Sequence, residues 1–234
     1  MPRINHLDTM SRRRRHKALI AWSSGKDSAW ALHEARRAGE YEIVGALTTV
    51  TTEFARVSMH GVREELLRAQ LDAAALPARM VRIPYPCPNA VYEREMAKAV
   101  CDAVAEGVTH MIFGDLFLQD IRDYRERQLA GSGITPVFPL WLCPTDALAR
   151  TMIDSGLEAR LTVVDRRKLA KEFAGRSFDA KLLADLPPEI DCCGENGEFH
   201  SFVTAGPMLT GKVAVSLGET VERDGFAFAD LLPA

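Results

Sequence analysis

The chain has 234 residues, of which 47% are hydrophobic and 26% are charged, and its formal net charge is -3 at pH 7. This length suits one α/β domain with a large core and a small additional subdomain. The slightly acidic charge provides no basic field for a nucleic-acid backbone, so nucleic acid is not an expected partner. No apolar stretch approaches the roughly 20 residues that span a bilayer, and residues 1–16 lack the apolar core of a secretory signal, so we expect a cytoplasmic protein without a membrane partner.

Residues 1–16 are polar and end in a basic run, which predicts a disordered basic tail. From residue 17 to 165, short apolar runs alternate with helical periodicity. This pattern predicts repeated β-α units and therefore a doubly wound parallel sheet of the α/β class. The predicted strands are 18–22, 43–50, 79–83, 110–113, 136–140 and 160–164.

Beyond residue 165 the pattern changes. Short helices are predicted at 166–174 and 178–186, followed by a Pro-Pro break and β-like segments around 199–204 and 213–228. We therefore predict that residues 166–234 form a smaller C-terminal α+β subdomain that binds substrate and packs against residues 17–165, with a cleft between the two parts.

A loop of small and charged residues, 23–28, follows the first predicted strand directly and precedes a helix. Such a turn directs backbone N–H groups and the positive end of the helix dipole at one point, which suits a phosphate group. Gly25 permits close approach of a ligand, Lys26 adds a mobile positive charge, and Ser28 can cap the helix. Asp27 beside a phosphate implies a magnesium ion between them. The alternative is an ordinary Ser-capped turn.

Polar residues that follow other predicted strands are further candidates, because ligands of an open parallel sheet bind beyond the carboxyl ends of its strands. Gly114 and Asp115 follow the fourth predicted strand, where a carboxylate suits a metal ion or the reacting end of a substrate. For Asp123 and Arg125, on the following charged helix, we favour a solvated surface. Thr48 either contacts an adenosine or satisfies a turn.

The segment 194–200 combines two carboxylates, an amide and an imidazole with two glycines. These polar groups are costly to bury without a ligand. The alternative is a hairpin turn at Asn196-Gly197 with solvated flanks. When the segment 194–200 is considered together with the loop 23–28, we prefer to interpret it as a polar lip that closes over a substrate.

The loop 23–28 is not a Walker loop, because neither Gly25-Lys26 nor Gly211-Lys212 is followed by Ser or Thr. It resembles the S-G-G-x-D-S loop of the ATP pyrophosphatase (PP-loop) superfamily, with Ser24 where glycine is common. Together with the segment 194–200, residues 17–208 resemble the diphthine-ammonia ligase (diphthamide synthase) family. The resemblance also rests on Gly114-Asp115, Asp120, Arg122, Glu126, Arg127, 138–141 and Gly175-Arg176.

The resemblance implies an adenine nucleotide alpha-hydrolase-like fold, ATP and Mg²⁺ as cofactors, and a ligase that adenylates a carboxylate and amidates it with ammonia. The implied acceptor is a modified translation factor that carries diphthine, or a small-molecule carboxylate such as a corrinoid side chain. The implied nucleotide site consists of Ser23, Ser24, Gly25, Lys26, Asp27, Ser28, Thr48 and Gly114, with Asp27 as the metal ligand. The implied catalytic residues are Asp115, Glu195, Glu198 and His200, and the implied substrate-binding residues are Arg122, Asn196 and Gly197.

Two alternatives stay open: another PP-loop activity, such as tRNA thiolation or nucleotide alpha-hydrolysis, and a nucleotide-binding regulatory module. Thiolation ranks lower because the five cysteines include no C-x-x-C pair and the charge is not basic. The second polar segment, 194–200, disfavours a regulator. No glutaminase-like Cys/His pairing is apparent, so we expect ammonia from solution, and the formation of a homo-oligomer is left open.

Overall fold

The computed structural model describes residues 15–234 and contains two β-sheets. The predicted tail, 1–16, lies outside the described residues except for its last two, and His16 already begins the first strand. The strands of the first sheet, sheet A, are β1 (His16–Ala21), β2 (Tyr41–Thr51), β3 (Arg56–Val57), β4 (Ala78–Ile83), β5 (His110–Ile112) and β6 (Thr135–Val137).

Sheet A is mostly parallel. Its parallel strands lie in the order β4-β2-β1-β5-β6, and the short β3 pairs antiparallel with the end of β2. The chain proceeds from β1 to β2 on one side and crosses after β4 to β5 on the other side. The strand order therefore reverses between β1 and β5, which is where an open α/β sheet binds ligands. The prediction of an α/β protein with a largely parallel sheet is confirmed.

The helices are α1 (Lys26–Ala38), α2 (Glu64–Ala73), α3 (Asn89–Ala105), α4 (Gln119–Leu129), α5 (Thr145–Asp154) and α6 (Ala180–Asp185), with a 3₁₀ turn at Lys171–Phe173. Gly39 ends α1 with a φ of 72°, a left-handed conformation that suits a glycine C-cap. Among residues 15–234, no helix is long and apolar enough to cross a membrane.

The second sheet, sheet B, consists of four antiparallel strands in the order β8-β7-β10-β9. They are β7 (Glu158–Asp165), β8 (Phe199–Ala205), β9 (Val215–Arg223) and β10 (Phe226–Pro233). The strand predicted at 160–164 for the parallel sheet is therefore β7 of sheet B. A buried apolar run specifies a strand but not its partners, which here lie 34 or more residues later in the chain.

The helix predicted at 166–174 is wrong, because the chain turns after β7 and forms only the 3₁₀ turn. The carboxylate of Asp165 accepts hydrogen bonds from the backbone N–H of Arg167 at 3.0 Å and from its guanidinium at 2.8 Å. Such local side-chain bonds favour a turn over a helix. In contrast, α5 was not predicted, although Leu148, Ala149 and Met152 form a buried helical stripe.

One continuous core joins the two sheets. Ile20 of β1, Leu32 of α1, Leu67 of α2, Leu161 of β7 and Phe202 of β8 are all fully buried in the same cluster. Each such side chain contributes roughly 1.5–3 kcal/mol when it leaves water. Sheet B is therefore fixed against α1 and α2, and this packing places β8 beside the loop that follows β1.

Candidate functional site

A cleft of about 640 Å³, the main cleft, opens at the carboxyl ends of β1 and β5. Its walls come from the loop 23–28, residues 57–60 at the end of β3 and after it, residues 113–115 after β5, and residues 194–201, which include the start of β8. The two sequence segments predicted to carry the chemistry, 23–28 and 194–200, therefore face the same space.

The loop 23–28 turns through a left-handed residue. Ser24 is fully buried with a φ of 71°, which explains why glycine is common at this position in the loops that the chain resembles. Gly25 is the N-cap of α1, so the prediction that Ser28 caps the helix is wrong. Ser28 lies in the first turn instead, where its hydroxyl donates to the carbonyl of Gly25 at 3.0 Å and accepts from the N–H of Ser23 at 3.3 Å.

Replacing Ser24 by glycine is expected to stabilise the protein by about 1 kcal/mol, because glycine adopts this φ without a Cβ clash. The change also removes a buried hydroxyl that has no hydrogen-bond partner among the described residues. Urea unfolding measures the effect. As a control, Ser155→Gly changes a residue with a φ of -83° and should lower stability. A loss of stability in Ser24→Gly would contradict the assigned strain.

The buried amide of Gln70 on α2 fixes this loop to sheet B. Its nitrogen donates to the carbonyls of Ser24 at 3.1 Å and Val203 at 2.6 Å, and its oxygen accepts from the indole N–H of Trp22 at 2.9 Å. The N–H of Val203 in turn donates to the carbonyl of Ser24 at 3.0 Å. The shape of the loop 23–28 therefore depends on α2 and β8 as well as on its own residues.

Lys26 is buried and held rather than mobile. Its Nζ donates to Asp27 Oδ2 at 2.8 Å and to the carbonyl of Cys193, and it lies 5.7 Å and 5.4 Å from the ring centroids of Phe178 and Phe199. Burial by itself lowers the pKa of Lys26, but the carboxylate of Asp27 raises it on balance, so the ammonium group stays charged. The chain thus keeps a positive charge beneath the loop.

The surroundings of Asp27 fit a magnesium nucleotide. Its Oδ2 contacts Lys26, whereas its Oδ1 is buried without a hydrogen-bond partner in the described part of the chain. Residues 15–234 contain no group of three or more His, Cys, Asp or Glu side chains that could hold a metal ion. A single carboxylate suits Mg²⁺, which is usually bound by one or two carboxylates together with substrate phosphates and water.

Gly114 packs directly against the first turn of α1. A Cβ atom on Gly114 would lie 2.7 Å from the carbonyl carbon of Asp27 and 2.8 Å from the N–H nitrogen of Ser28. Glycine is therefore required for the loop after β5 to approach the loop after β1. This contact brings the next residue, Asp115, into the main cleft.

Asp115 and Arg125 form a loose pair on the wall of the main cleft. Asp115 Oδ2 lies 3.7 Å from Arg125 Nε, and neither atom makes a hydrogen bond to any residue between 15 and 234. Burial raises the pKa of Asp115, and the guanidinium of Arg125 opposes this shift. The prediction that Arg125 belongs to a solvated surface is wrong. Its guanidinium lies over the ring of Phe113 at 5.2 Å, and the residue lines the cleft.

Two other predicted residues, Thr48 and Arg122, do not line the main cleft. Thr48 is buried, and it is its neighbour Thr49 that faces the cleft. The guanidinium of Arg122 lies over Trp141 at 4.7 Å and pairs with Glu126 at 2.8 Å. Because Arg122 and Arg125 are three residues apart on α4, the sequence alone does not distinguish which of them faces the cleft.

Glu195 fixes the segment 194–200 to the loop after β5. Its Oε1 accepts hydrogen bonds from the N–H groups of Leu116 at 2.7 Å and Phe117 at 3.4 Å. Burial raises the pKa of Glu195 to about 7; the bond from Leu116 opposes this shift, and the charges of Asp27 and Asp115 reinforce it. Glu195 can therefore exchange a proton near neutral pH.

Glu195→Gln is expected to remove a pH dependence of stability. The carboxyl has a pKa of about 7 in the folded chain against an ordinary 4.5, so the folded chain binds the proton more tightly. This contribution is complete below the ordinary value and is lost as the pH rises through 7. After a discount for partial exposure, the unfolding free energy of Glu195→Gln relative to the wild type should rise by roughly 1–3 kcal/mol from about pH 5 to about pH 8.

Urea unfolding at several pH values measures this difference. Glu189→Gln, which changes an exposed carboxylate before the same segment, is the matched control. A stability difference between Glu195→Gln and the wild type that does not vary with pH would show that Glu195 ionises at its ordinary pKa.

The remaining polar side chains of the segment 194–200 mainly build the turn. Glu198 Oε1 accepts from the amide of Asn196 at 3.1 Å, and its Oε2 is buried with no hydrogen-bond partner among residues 15–234. Neither Glu198 nor the exposed Asn196 lines the main cleft, whereas Gly197 does, with a φ of 80°. The structure thus places Glu195, Gly197 and His200 in the wall of the main cleft, whereas Glu198 and Asn196 lie outside it.

Two imidazoles lie side by side on the wall of the main cleft. The ring centroids of His200 and His60 are 4.5 Å apart, and both residues line the main cleft. Burial lowers the pKa of His200 to about 4, and the charge of Lys26 adds to this effect. His60 was not predicted, because it lies in the loop between β3 and α2, away from any polar cluster in the sequence.

Residues 144–229 match the family model described as the diphthamide synthase C-terminal domain. The matched region covers α5, the segment 194–200 and most of sheet B, and it does not include the loop 23–28. No curated protein matches the chain.

Proposed function

We propose that this chain is a member of the diphthine-ammonia ligase (diphthamide synthase) family, as the match over residues 144–229 supports, and that it adenylates a carboxylate with ATP and transfers the acyl group to ammonia, with release of AMP and pyrophosphate. The observation that carries the proposal is the direct contact between the two key segments. Lys26 of the loop 23–28 donates to the carbonyl of Cys193, immediately before the segment 194–200 that lies within the matched family region.

In this proposal the loop 23–28 binds the β- and γ-phosphates of ATP. The N-terminus of α1 and the charged Lys26 stabilise the negative charge that develops on the departing pyrophosphate. Asp27, through its unpartnered Oδ1, is the residue that would hold Mg²⁺, which supplies further charge neutralisation at the phosphates. Attack by the acceptor carboxylate on the α-phosphorus then forms an acyl-adenylate.

A second cleft of about 960 Å³, the side cleft, suits the acceptor. It lies between the loop after β3 and the hairpin of β9 and β10. It shares residues 57–59, Ile83 and His200 with the main cleft. Two substrates can therefore enter from different sides and meet beside His200. The acceptor is a modified translation factor or a smaller carboxylate.

Asp115 and Glu195 are the groups proposed to orient the reacting carboxylate and ammonia. Glu195 has a pKa of about 7 and lies close enough to Asp27 and Asp115 for their charges to influence it. Its hydrogen bonds to Leu116 and Phe117 hold the carboxyl in place. Precise positioning of this kind accounts for much of the rate enhancement in ligases of two bound substrates.

The test is to incubate the full chain with ATP, MgCl₂ and ammonium chloride, with and without a diphthine-bearing translation factor or a corrinoid carboxylate, and to separate AMP from ADP. Acceptor-dependent formation of AMP and pyrophosphate is expected. Formation of ADP and phosphate would overturn the assigned bond cleavage. Tight ATP binding without turnover would instead support the regulatory module.

A further inference from the structure

His60 occupies a position in the main cleft that suits direct contact with a reactant. Its ring rests on Gly25 of the loop 23–28, because a Cβ on Gly25 would lie 2.7 Å from His60 Cε1. The ring also lies beside that of His200, with the two ring centroids 4.5 Å apart. The imidazole is thus held in the main cleft, in contact with the loop 23–28 and with the first residues of β8.

The hydrogen bond of His60 determines which ring nitrogen carries the proton. His60 Nδ1 lies 3.1 Å from the carbonyl oxygen of Ser201. A carbonyl oxygen only accepts, so Nδ1 is the protonated nitrogen and donates in this contact. In a neutral ring, Nε2 then has a free lone pair, and no residue from 15 to 234 donates a hydrogen bond to it. This lone pair can therefore accept a hydrogen bond from an N–H group of a reactant.

Two groups that face His60 disfavour a positive charge on its ring. Lys26 approaches from α1, and His200 approaches from β8. Burial, the proximity of His200 and the charge of Lys26 lower the pKa of His60 well below its ordinary value, and the bond to Ser201 only partly opposes them. The ring is therefore neutral at physiological pH and can accept a proton.

We propose that His60 is the base that takes a proton from ammonia when it attacks the acyl-adenylate, an inference that rests on the proposed function. The nitrogen of NH₃ forms a bond to the acyl carbon, and the bond from that carbon to the phosphate oxygen of AMP breaks, with its electron pair leaving on AMP. One proton of the attacking nitrogen moves to His60 Nε2 and from there to solvent. The products are the amide and AMP, so atoms and charges balance.

Neither of the other candidate bases shares this arrangement. Glu195 uses one carboxylate oxygen to bind the N–H groups of Leu116 and Phe117, and this contact assigns its carboxyl to positioning the segment 194–200. His200 has no side-chain hydrogen bond to any described residue that would fix its tautomer. His60 combines a fixed tautomer with an open lone pair in the cleft.

His60→Asn tests the proposal, because asparagine keeps a side-chain N–H for the carbonyl of Ser201 and lacks the Nε2 lone pair. The reaction contains ATP, MgCl₂, the diphthine-bearing translation factor, and either ammonium chloride or hydroxylamine. Amide formation should fall by about 10²–10⁴-fold, the usual contribution of a general base. Hydroxamate formation should fall less than about tenfold, because hydroxylamine is a stronger nucleophile and depends less on a base.

His33→Asn is the matched control, because the ring centroid of His33 lies 4.7 Å from that of Trp30 and His33 does not line the main cleft. It should leave both rates unchanged. Equal losses of amide and hydroxamate in His60→Asn would indicate a structural role and overturn the proposal, and so would an unchanged rate of amide formation.

A second measurement tests His60 even if the wild type gives no AMP with this acceptor, which would count against the proposed function alone. Nitrogen-15 NMR of the full chain, with the His60 signal assigned by its loss in His60→Asn, should show a neutral ring protonated at Nδ1 at pH 7. A doubly protonated ring, or a proton on Nε2, would overturn the assignment of His60 as a base.

Discussion

Asp27→Asn is expected to lower AMP formation by about 10³-fold or more while the protein remains folded. The amide keeps an oxygen that can accept the hydrogen bond from Lys26, which in the wild type is 2.8 Å long. It lacks the negative charge that a magnesium ion requires, and the buried Oδ1 that is available to such an ion is no longer part of a carboxylate. Binding of Mg²⁺ with ATP should weaken, whereas binding of ATP without the metal should change little.

The rate is measured as AMP released, and folding is measured by circular dichroism and thermal unfolding. Loss of the counter-charge of buried Lys26 lowers stability, so assays belong well below the unfolding temperature of the variant. Asp154→Asn, at an exposed position on α5, is the control and should keep the wild-type rate. An unchanged rate in folded Asp27→Asn would remove Asp27 from the metal site.

Gly114→Ala is expected to reduce activity by about 10²-fold, because a displacement of about 1 Å in an active site has effects of this size. The added methyl group would lie 2.7–2.8 Å from backbone atoms of Asp27 and Ser28, which cannot rotate away as a side chain could. The loop after β5 and the first turn of α1 must therefore separate. Overpacking of this kind also lowers stability by about 1–3 kcal/mol.

Gly211→Ala is the matched control, since a Cβ at Gly211 would meet no atom within 4 Å. Activity assays and urea unfolding of both variants measure the two effects. If Gly114→Ala behaved like Gly211→Ala, the close contact between the loop after β5 and α1 would not be needed for function.

Local sequence signals predicted the part of the site that lies on one continuous stretch of chain. The apolar run of β1, the small residues that follow it and the helical stripe of α1 are neighbours in sequence, so their pattern indicates a strand, a loop and a helix in that order. The polar composition of the segment 194–200 likewise made it a candidate, and the family match over residues 144–229 supports the resemblance in this part of the chain.

Contacts between distant elements could not be predicted in the same way. The apolar pattern of β7 gives no information on whether it pairs within sheet A or with β8 and β10. His60 contacts Gly25 and Ser201 because α1 and β8 pack beside its loop. Gly114 has no room for a side chain because the backbone of Asp27 lies against it. Apolar composition also does not show which face of α3 is buried: Cys101 is exposed, whereas its neighbours Val100 and Ala103 are buried.

The most direct test of the central claim is a crystal structure of the chain with a nonhydrolysable ATP analogue and Mg²⁺. The two outer phosphates should contact the loop 23–28 above Lys26, with the metal ion bound to Asp27 and the α-phosphorus open toward His200 and the side cleft. A triphosphate bound away from Lys26, or one whose outer phosphates point out of the main cleft, would contradict the proposed ligase mechanism.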